Sequence, residues 1–332
     1  MILTAFPEQP VEARWREFLK QADFPAYHNT PDYFRDAFIE GRGAFAVLAM
    51  DGSDVVGVAT GLQSGDRISC GHGSSPQICM VKAGDRGRIG AVLADSLRRH
   101  ACRSHAFVAA HSWTEIPSFA EAGFRSHVLS GDDHGNVVLD LTRGTDALFS
   151  AISKKRRSEV RRAIRNGIEV SELNCDTEFE QFHDIYRHWC AYKSNEVLPA
   201  ELMAKAFRQS GNRLVLAARR NGAIVAVSTW RYSPYGVVEY AANWSKRGEA
   251  SGSANDLLAW RGIEWAVDRG HTMFSMGGSH FFLRSFGEVV PTWRYTLDHT
   301  LFRQHHVRET AHGVAHRIYK GLPEGVRRMV NR

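Results

Sequence analysis

Apolar and polar positions alternate in the same order in two stretches of the chain, residues 44–62 and 213–232. Each stretch holds two strand-like runs on either side of a turn signal, Asp51-Gly52 in the first and Asn221-Gly222 in the second. Such a dipeptide between apolar runs is typical of a β-hairpin, because its residues accept the positive φ of a tight turn. The pattern therefore predicts a hairpin at the same place in both halves of the chain.

A helical pattern follows each predicted hairpin, over residues 87–101 and 253–270. A short strand-like run follows each helix, over residues 106–110 and 272–276. The same order of elements thus occurs twice, which predicts two tandem domains of the α/β (α+β) class.

Composition and length suit a folded protein with a substantial core. The chain has 332 residues, of which 43% are hydrophobic and 23% charged. No apolar run approaches the roughly 18 residues of a spanning helix, and the first residues lack the basic and apolar regions of a signal peptide. The five cysteines are odd in number and form no CxxC motif, which favours the reducing cytoplasm.

The positive charge is concentrated in one segment, residues 153–167. It contains seven Lys or Arg and one Glu, an excess of six, equal to the net charge of the whole chain. Helical periodicity predicts a basic helix over 153–166, with Val160, Ala163 and Ile164 on its apolar face and Gly167 just beyond its end. Arg156 falls on the apolar side of this helix.

A basic ridge covers the other face of the predicted helix. Like charges at helical spacing repel each other, so bound phosphates would relieve the ridge. A solvated charged face is the alternative. The ridge residues, which we take as candidate phosphate or tRNA contacts, are Lys154, Lys155, Arg157, Arg161, Arg162 and Arg165.

Two segments carry a resemblance to a known family. Residues 137–170 hold a strand ending in Asp-Leu, the basic helix, a glycine and a new strand, and residues 237–289 hold a strand, loop, helix, strand and terminal Phe-Gly. This order resembles the FemABX-type branch of the GNAT superfamily, whose members have tandem GNAT-like domains, each a mixed, mostly antiparallel twisted sheet flanked by helices. The resemblance implies domains at 1–143 and 144–300, and a helical tail at 301–332 that packs back on the first domain.

The resemblance implies an acyltransferase that forms a peptide bond. Its typical members move an amino acid from aminoacyl-tRNA to an amine of a peptidoglycan precursor or a small molecule. This implies tRNA as partner, aminoacyl-tRNA as co-substrate and no tightly bound cofactor. Two alternatives stay open: an acyl-CoA-dependent N-acyltransferase on the same fold, using acetyl-CoA or another acyl-CoA, and a non-catalytic RNA-binding protein.

Two signals bear on those alternatives. Residues 84–97 miss the R-x-x-G-x-G/A pattern of CoA binding by one residue, and at 251–256 Ser253 and Asp256 form a capping-box pattern. We predict capping as the role of both loops. Compared with the family, Leu283 stands where a lysine is common, with Arg284 next to it, and Ser275 stands at an acidic position.

Acyl transfer to an amine requires removal of a proton, stabilisation of an oxyanion and protonation of the leaving group. In a GNAT-like sheet two central strands splay apart and expose backbone N–H groups, and residues 237–243 are predicted to form one of these strands. Glu239 as proton acceptor and Tyr240 as proton donor are adjacent, so only one of them faces the cleft. The candidate catalytic residues are Glu239, Tyr240 and Arg284, and the candidate substrate contacts are Gly277, Gly278, Ser279, His280 and Phe282.

No metal site is predicted. His312 and His316 are four residues apart in the tail, but the chain has no HExxH motif and no cysteine beside them. Arg327, Arg328 and Arg332 add positive charge to the tail, which we expect near tRNA.

Overall fold

Two β-sheets form the framework of the chain, and helices cover both of them. The computed structural model describes residues 1–72, 75–129, 135–208, 210–246 and 253–311. The resulting mixed α/β architecture confirms the predicted fold class.

The first sheet takes its strands from the N-terminal part of the chain and one strand from near its end. Helices α1 and α2 cover its opposite faces, because Leu48 packs with α1 whereas its neighbours Val47 and Ala49 pack with α2. The strands run in the order β1-β2-β3-β4-β7-β16-β8, with β5 beside β4 and β6 beside β3. The bounds are β1 Ile2–Leu3, β2 Ala44–Asp51, β3 Asp54–Ser64, β4 Arg67–His72, β5 Ser75–Pro76, β6 Ile78–Met80, β7 Phe107–Ser112, β8 Arg125–Leu129, β16 Thr292–Asp298, α1 Gln9–Leu19, α2 Arg86–Arg103 and α3 Pro117–Glu121.

The second sheet has the strand order β10-β11-β12-β13-β14-β9-β15. Helices α5 and α8 cover one face, and α6 and α7 cover the other. The bounds are β9 Asn136–Asp140, β10 Ile168–Glu172, β11 Arg213–Arg220, β12 Ala223–Tyr232, β13 Val237–Ser245, β14 Met273–Ser275, β15 Glu288–Val290, α4 Thr145–Ala151, α5 Lys154–Arg165, α6 Phe179–Lys193, α7 Ala200–Arg208, α8 Ala254–Asp268 and α9 Phe281–Arg284. Single 3₁₀ turns lie at Tyr27–Asn29, Pro31–Arg35, Leu141–Arg143, Ser210–Asn212 and Leu301–Arg303.

The internal repeat is visible in the register of the two hairpins. β2 and β3 pair through Asp51 and Asp54, and β11 and β12 pair through Arg220 and Ala223. Each hairpin also has a β-bulge, with Val56 as the extra residue in β3 and Val225 in β12. The two bulges occupy equivalent places in the repeat, and both predicted hairpins are confirmed.

The sheets exchange one strand each, and this corrects the predicted domain bounds. Residues 136–140 form β9 in the second sheet, although they precede the boundary placed after residue 143, and residues 292–298 form β16 in the first sheet, although they precede the boundary at residue 300. The exchange buries Val137 in the second core and Tyr295 in the first, where the Tyr295 hydroxyl accepts a hydrogen bond from the Ile116 N–H at 2.6 Å.

The start of the predicted tail contacts the first sheet. Residues 304–311 are helical, and the His305 ring stacks on Phe107 at 5.0 Å while its Nε2 lies 3.0 Å from Asp66 Oδ2. Residues 312–332, with His312, His316 and the three predicted tail arginines, lie outside the described residues. Among the described helices, none is both long and apolar enough to cross a membrane.

Candidate active site

A gap opens in the second sheet between β13 and β14. The two strands pair in parallel only from Val237 to Glu239, opposite Met273 to Ser275. Beyond that point β13 continues to Ser245, and in the described part of the chain its pairing there is with β12 alone. Because alternate backbone groups of a strand point to each side, the N–H and C=O groups on the β14 side of residues 241–245 face the gap.

Gly277 permits the chain to turn away from β14 while it stays in contact with β13. Its φ is +71°, and a Cβ on this residue would lie 2.3 Å from the Tyr240 carbonyl oxygen. Any side chain would therefore collide with the backbone of β13 where the two strands separate. The predicted glycine-rich turn thus lies against β13 at the start of the gap.

The side chains at the gap on the α8 side are polar. Tyr240 is half-buried, its ring makes an edge contact with Trp230 at 5.8 Å, and burial raises the pKa of its hydroxyl, which stays protonated at neutral pH. The Asn243 side-chain amide donates to the Ser228 hydroxyl at 2.6 Å. Sequence analysis did not single out Ser228 or Asn243, since a polar residue within a strand gives no signal of its own.

Glu239 lies on the opposite face of the sheet from Tyr240, as the alternation of a strand requires. Its side chain is 3% exposed, its Oε2 lies 3.7 Å from His28 Nε2, and its Oε1 lies 3.4 Å from an Arg231 nitrogen. Burial raises the pKa of the Glu239 carboxyl, and Arg231 partly opposes this. The two adjacent candidates therefore occupy different environments, and sequence analysis missed His28 and Arg231.

A second buried ionic group lies near Glu239, between the segment 27–36 and the second sheet. The Tyr27 hydroxyl donates to Asp36 Oδ2 at 2.7 Å, and Arg213 donates to the same oxygen at 3.1 Å. A cavity of about 330 Å³ adjoins this group, and Asp32 and Arg35 line it as well. The segment 27–36, from the first half of the chain, thus covers the face of the second sheet on which the Glu239 side chain lies.

Asn136 holds the turn that follows β14. Its Oδ1 accepts a hydrogen bond from the Gly278 N–H at 3.0 Å, and its Nδ2 donates to the Ser275 hydroxyl at 2.8 Å. Ser279 is also buried, and its hydroxyl accepts from the Gly135 N–H at 3.1 Å. Ser275 and Ser279 therefore stabilise the turn, which corrects the predicted contact of Ser279 with substrate.

Leu283 and Arg284 lie in α9, which follows this turn. Leu283 is a buried core residue, so the position of the family lysine carries no charge. Arg284 donates through Nε to the Ser279 carbonyl at 2.6 Å and lines a separate cavity of about 440 Å³ that Asp140 and Arg143 also line. Arg284 thus holds the turn and lies in a different cavity from the gap, and the three predicted catalytic side chains are not brought together.

Phe282 and His280 occupy the outer side of the turn. Phe282 is half-buried and its ring centroid lies 4.6 Å from the Arg156 guanidinium carbon. His280 is exposed, and its ring lies 6.4 Å from that of Phe282. These aromatic contacts connect the turn to α5.

Three of the six predicted ridge residues have structural partners, and one of them is Arg161, whose guanidinium carbon lies 5.4 Å from the centroid of the Phe149 ring in α4. Arg157 donates to the carbonyl groups of Ser150 and Ile152 at the end of α4. Arg162 pairs with Glu159 at 3.0 Å and donates to the Ser253 hydroxyl. The ridge is therefore narrower than predicted. Four ridge residues are exposed and have no carboxylate within 4.0 Å in the part of the chain that the structure describes. They are Lys154, Lys155, Arg161 and Arg165.

Arg156 explains why a basic residue falls on the apolar face of α5. It is 6% exposed and forms a salt bridge with buried Asp256 in the first turn of α8. Ser253, at the N-cap position of α8, makes no capping bond and donates to Glu159 of α5. The predicted capping box is thus wrong at this helix, because both of its residues bind α5, whereas Asp85 does cap α2 by accepting from the Arg88 N–H at 2.9 Å.

Replacing Arg156 should destabilise the protein strongly. Arg156→Ala leaves the Asp256 carboxylate buried without a partner, and loss of one member of a buried pair costs about 3–5 kcal/mol. Arg162→Ala removes an exposed pair and should cost less than about 1 kcal/mol. Urea unfolding of both variants measures the difference, and equal losses would contradict the assigned role of the buried pair.

Glu239→Gln should change the pH dependence of stability. Because burial raises the pKa of Glu239 above its ordinary value of 4.5, the folded state binds the proton more tightly than the unfolded state. Stability from this group is present at low pH and is lost as pH rises through the folded pKa. The free energy of unfolding of Glu239→Gln minus that of the wild type should therefore increase from about pH 4 to neutral pH.

A matched control has the opposite sign. Arg219 lowers the pKa of Glu178, so that carboxylate stabilises the fold at neutral pH and loses this effect as pH falls. Glu178→Gln should thus become less stable, relative to the wild type, as pH rises. If the two variants follow the same trend in urea unfolding, the account of Glu239 is wrong.

Part of the chain is similar in sequence to known transferases. Residues 154–285 match the model of a family described as an acetyltransferase (GNAT) domain. A UDP-N-acetylmuramoylpentapeptide-lysine N(6)-alanyltransferase of Weissella viridescens is 27% identical over 153 residues, which are 43% of this chain and 43% of that protein. The chain thus matches less than half the length of this curated relative.

Solved structures match most of the chain. FemX aligns with a TM-score of 0.65 at 13% identity, covering 86% of this chain and 96% of FemX. L-PGS from Bacillus licheniformis aligns with a TM-score of 0.54 at 13% identity, covering 88% of this chain and 92% of L-PGS. A tandem GNAT protein from the clavulanic acid biosynthesis pathway aligns with a TM-score of 0.55 at 12% identity, covering 91% of this chain and 99% of that protein. The predicted resemblance thus holds in the GNAT domain match of residues 154–285 and in the fold, which the chain shares with FemX and with a tandem GNAT protein.

Proposed function

We propose that this protein is an aminoacyl-tRNA-dependent aminoacyltransferase that moves an aminoacyl group to an amine of a cell-wall precursor or a small molecule. The observation that carries the proposal is the group of four exposed cations on α5 that have no carboxylate within 4.0 Å among the described residues; the start of α5 contacts α9, the helix that follows the turn after β14. Similarity to the alanyltransferase of Weissella viridescens supports it. Aminoacyl-tRNA is made in the cytoplasm, so we place the reaction there.

The gap offers the groups that aminoacyl transfer requires. An attacking amine and the ester carbonyl of the donor would meet beside residues 241–245, where a backbone N–H stabilises the oxyanion. The ester of aminoacyl-tRNA is already activated, so positioning supplies much of the rate. Tyr240 is protonated and lies where the strands separate, so we assign its hydroxyl to protonate the leaving ribose oxygen as the C–O bond breaks, and the proton that the attacking amine loses on forming the C–N bond then returns to the Tyr240 oxygen.

Glu239 is less well placed than Tyr240 to take a direct part in the transfer reaction. A base must reach the amine from which it removes a proton, and the Glu239 carboxylate is covered by His28 and Arg231 on the other face of the sheet. We assign Glu239 to the contact between the two halves of the chain.

One observation favours a second candidate function, an acyl-CoA-dependent N-acyltransferase. The family model that matches residues 154–285 is described as an acetyltransferase domain. The gap would serve this reaction equally, because a thioester carbonyl needs the same backbone donor. The cations of α5 favour the tRNA donor, since CoA offers only a few phosphates and tRNA offers an extended phosphate surface.

Incubation with each donor tests the choice. Purified protein is given radiolabelled mixed aminoacyl-tRNA or labelled acetyl-CoA, together with amines that include UDP-N-acetylmuramoyl-pentapeptide. We expect label to pass from tRNA to an amine. Transfer from acetyl-CoA alone would establish the second candidate, and transfer from neither would leave RNA binding without catalysis.

Removal of two ridge cations should weaken tRNA binding in a salt-dependent way. Each phosphate contact contributes about 0.7 to 0.9 to the slope of log affinity against log salt concentration. Lys154→Ala with Lys155→Ala should reduce the slope by roughly 1 to 2 units. The control, Lys82→Ala with Arg103→Ala, removes the same charge from exposed positions on the first half and should keep the slope. Equal slopes in both double variants would exclude the ridge from tRNA binding.

Tyr240→Phe should slow transfer and leave donor binding intact. Loss of a general acid typically costs about 10²- to 10⁴-fold in rate. Tyr192→Phe is the control, because Tyr192 is an exposed residue of α6, on the other face of the sheet. Single-turnover rates with saturating donor measure the effect, and a wild-type rate in Tyr240→Phe would show that leaving-group protonation comes from elsewhere.

A further inference from the structure

Phe281 is an aromatic side chain that the fold leaves in solvent. It is the first residue of α9 and is 77% exposed, whereas its neighbours Phe282 and Leu283 are half-buried and buried. A single exposed phenyl ring is common on protein surfaces, so the groups around Phe281 decide what the ring can bind.

One cation lies over this ring, and a second is its neighbour in the sequence. Lys155 Nζ lies 5.9 Å from the Phe281 ring centroid, and Lys154 precedes it on the same exposed turn of α5. Neither lysine has a carboxylate within 4.0 Å among the described residues. An aromatic face next to uncompensated positive charge is the combination that binds single-stranded nucleic acid, because bases stack on the ring and phosphates bind the cations.

The backbone that carries Phe281 is well fixed. The Ser285 carbonyl accepts a hydrogen bond from the Ser153 N–H at the start of α5 at 2.9 Å. The Arg284 Nε donates to the Ser279 carbonyl at 2.6 Å, and Phe282 packs on Arg156, which is paired with Asp256. The backbone positions of Phe281 and Lys155 are therefore fixed next to each other before any ligand arrives, which lowers the entropic cost of binding.

The position of Phe281 relates it to the gap. Only residues 276–280 separate it from the end of β14, and Gly277 in that segment touches the backbone of Tyr240. A nucleotide stacked on Phe281 would lie one short turn from the place where the strands separate. An apolar protein surface would gain nothing from the two lysines, so charge complementarity favours a nucleic acid.

We propose that Phe281 is the stacking platform for an unpaired base near the 3′ end of the tRNA donor, and that Lys154 and Lys155 contact the adjoining phosphates. This rests on the proposed function, because it assumes that tRNA is the donor. The platform sets specificity for an unpaired end, since a fully paired helix end offers no free base to stack.

A pair of RNA hairpins tests the platform. One copies a tRNA acceptor stem with its unpaired 3′ nucleotides, and the other has the same stem with a blunt end. The wild type should bind the first more tightly, and Phe281→Ala should lose about 5-fold or more of affinity for it, with no change for the blunt hairpin. Phe281→Tyr should keep the preference, because it keeps the aromatic face.

Controls separate this inference from the proposed function. Phe302→Ala removes another aromatic residue, 85% exposed, that follows β16 of the first sheet, and it should leave both affinities unchanged. Phe281→Ala should also keep the salt slope that Lys154→Ala with Lys155→Ala reduces. If the wild type binds the unpaired hairpin more tightly but Phe281→Ala binds it equally well, the platform is wrong while the tRNA donor stands. If the wild type binds neither hairpin, the proposed function falls as well.

Discussion

The separation of β13 from β14 is the constraint on which the candidate site depends. After Glu239 and Ser275 the two strands no longer pair, and the backbone of 241–245 faces a gap. A paired sheet would satisfy these backbone groups and leave no donor for an oxyanion. Gly277 permits the turn that leads away from β14, because only glycine fits against the Tyr240 carbonyl with this backbone conformation. Asn136, from the strand on the other side of β14, holds that turn.

The position of the basic helix relative to the gap depends on a buried ion pair. Arg156 of α5 binds Asp256 of α8, and it also supports Phe282 in the turn after β14. A buried pair costs desolvation, so its value lies in fixing one arrangement of two helices. That arrangement leaves Lys154 and Lys155 exposed next to the turn. The cations that remain without carboxylate partners are therefore those that face outward.

Local pattern predicted the repeated elements and the strand that borders the gap, since hairpin and helix signals lie within short windows of sequence. The matching bulges at Val56 and Val225 show how closely the two halves correspond. The exchange of β9 and β16 between the sheets leaves no such pattern, because either sheet would bury the same apolar residues. The partners of Arg156 and Glu239 were not predicted either. Asp256 and His28 are distant in sequence from them, and a local pattern does not show which distant residues meet.

A structure of the protein with an acceptor-stem hairpin whose terminal ribose carries a stable amide-linked amino acid tests the account most directly. The account predicts that the amino-acid carbonyl lies within hydrogen-bond distance of a backbone N–H of residues 241–245, with the RNA backbone along Lys154, Lys155, Arg161 and Arg165. A bound hairpin that leaves the gap empty, or that contacts only the first sheet, would contradict it.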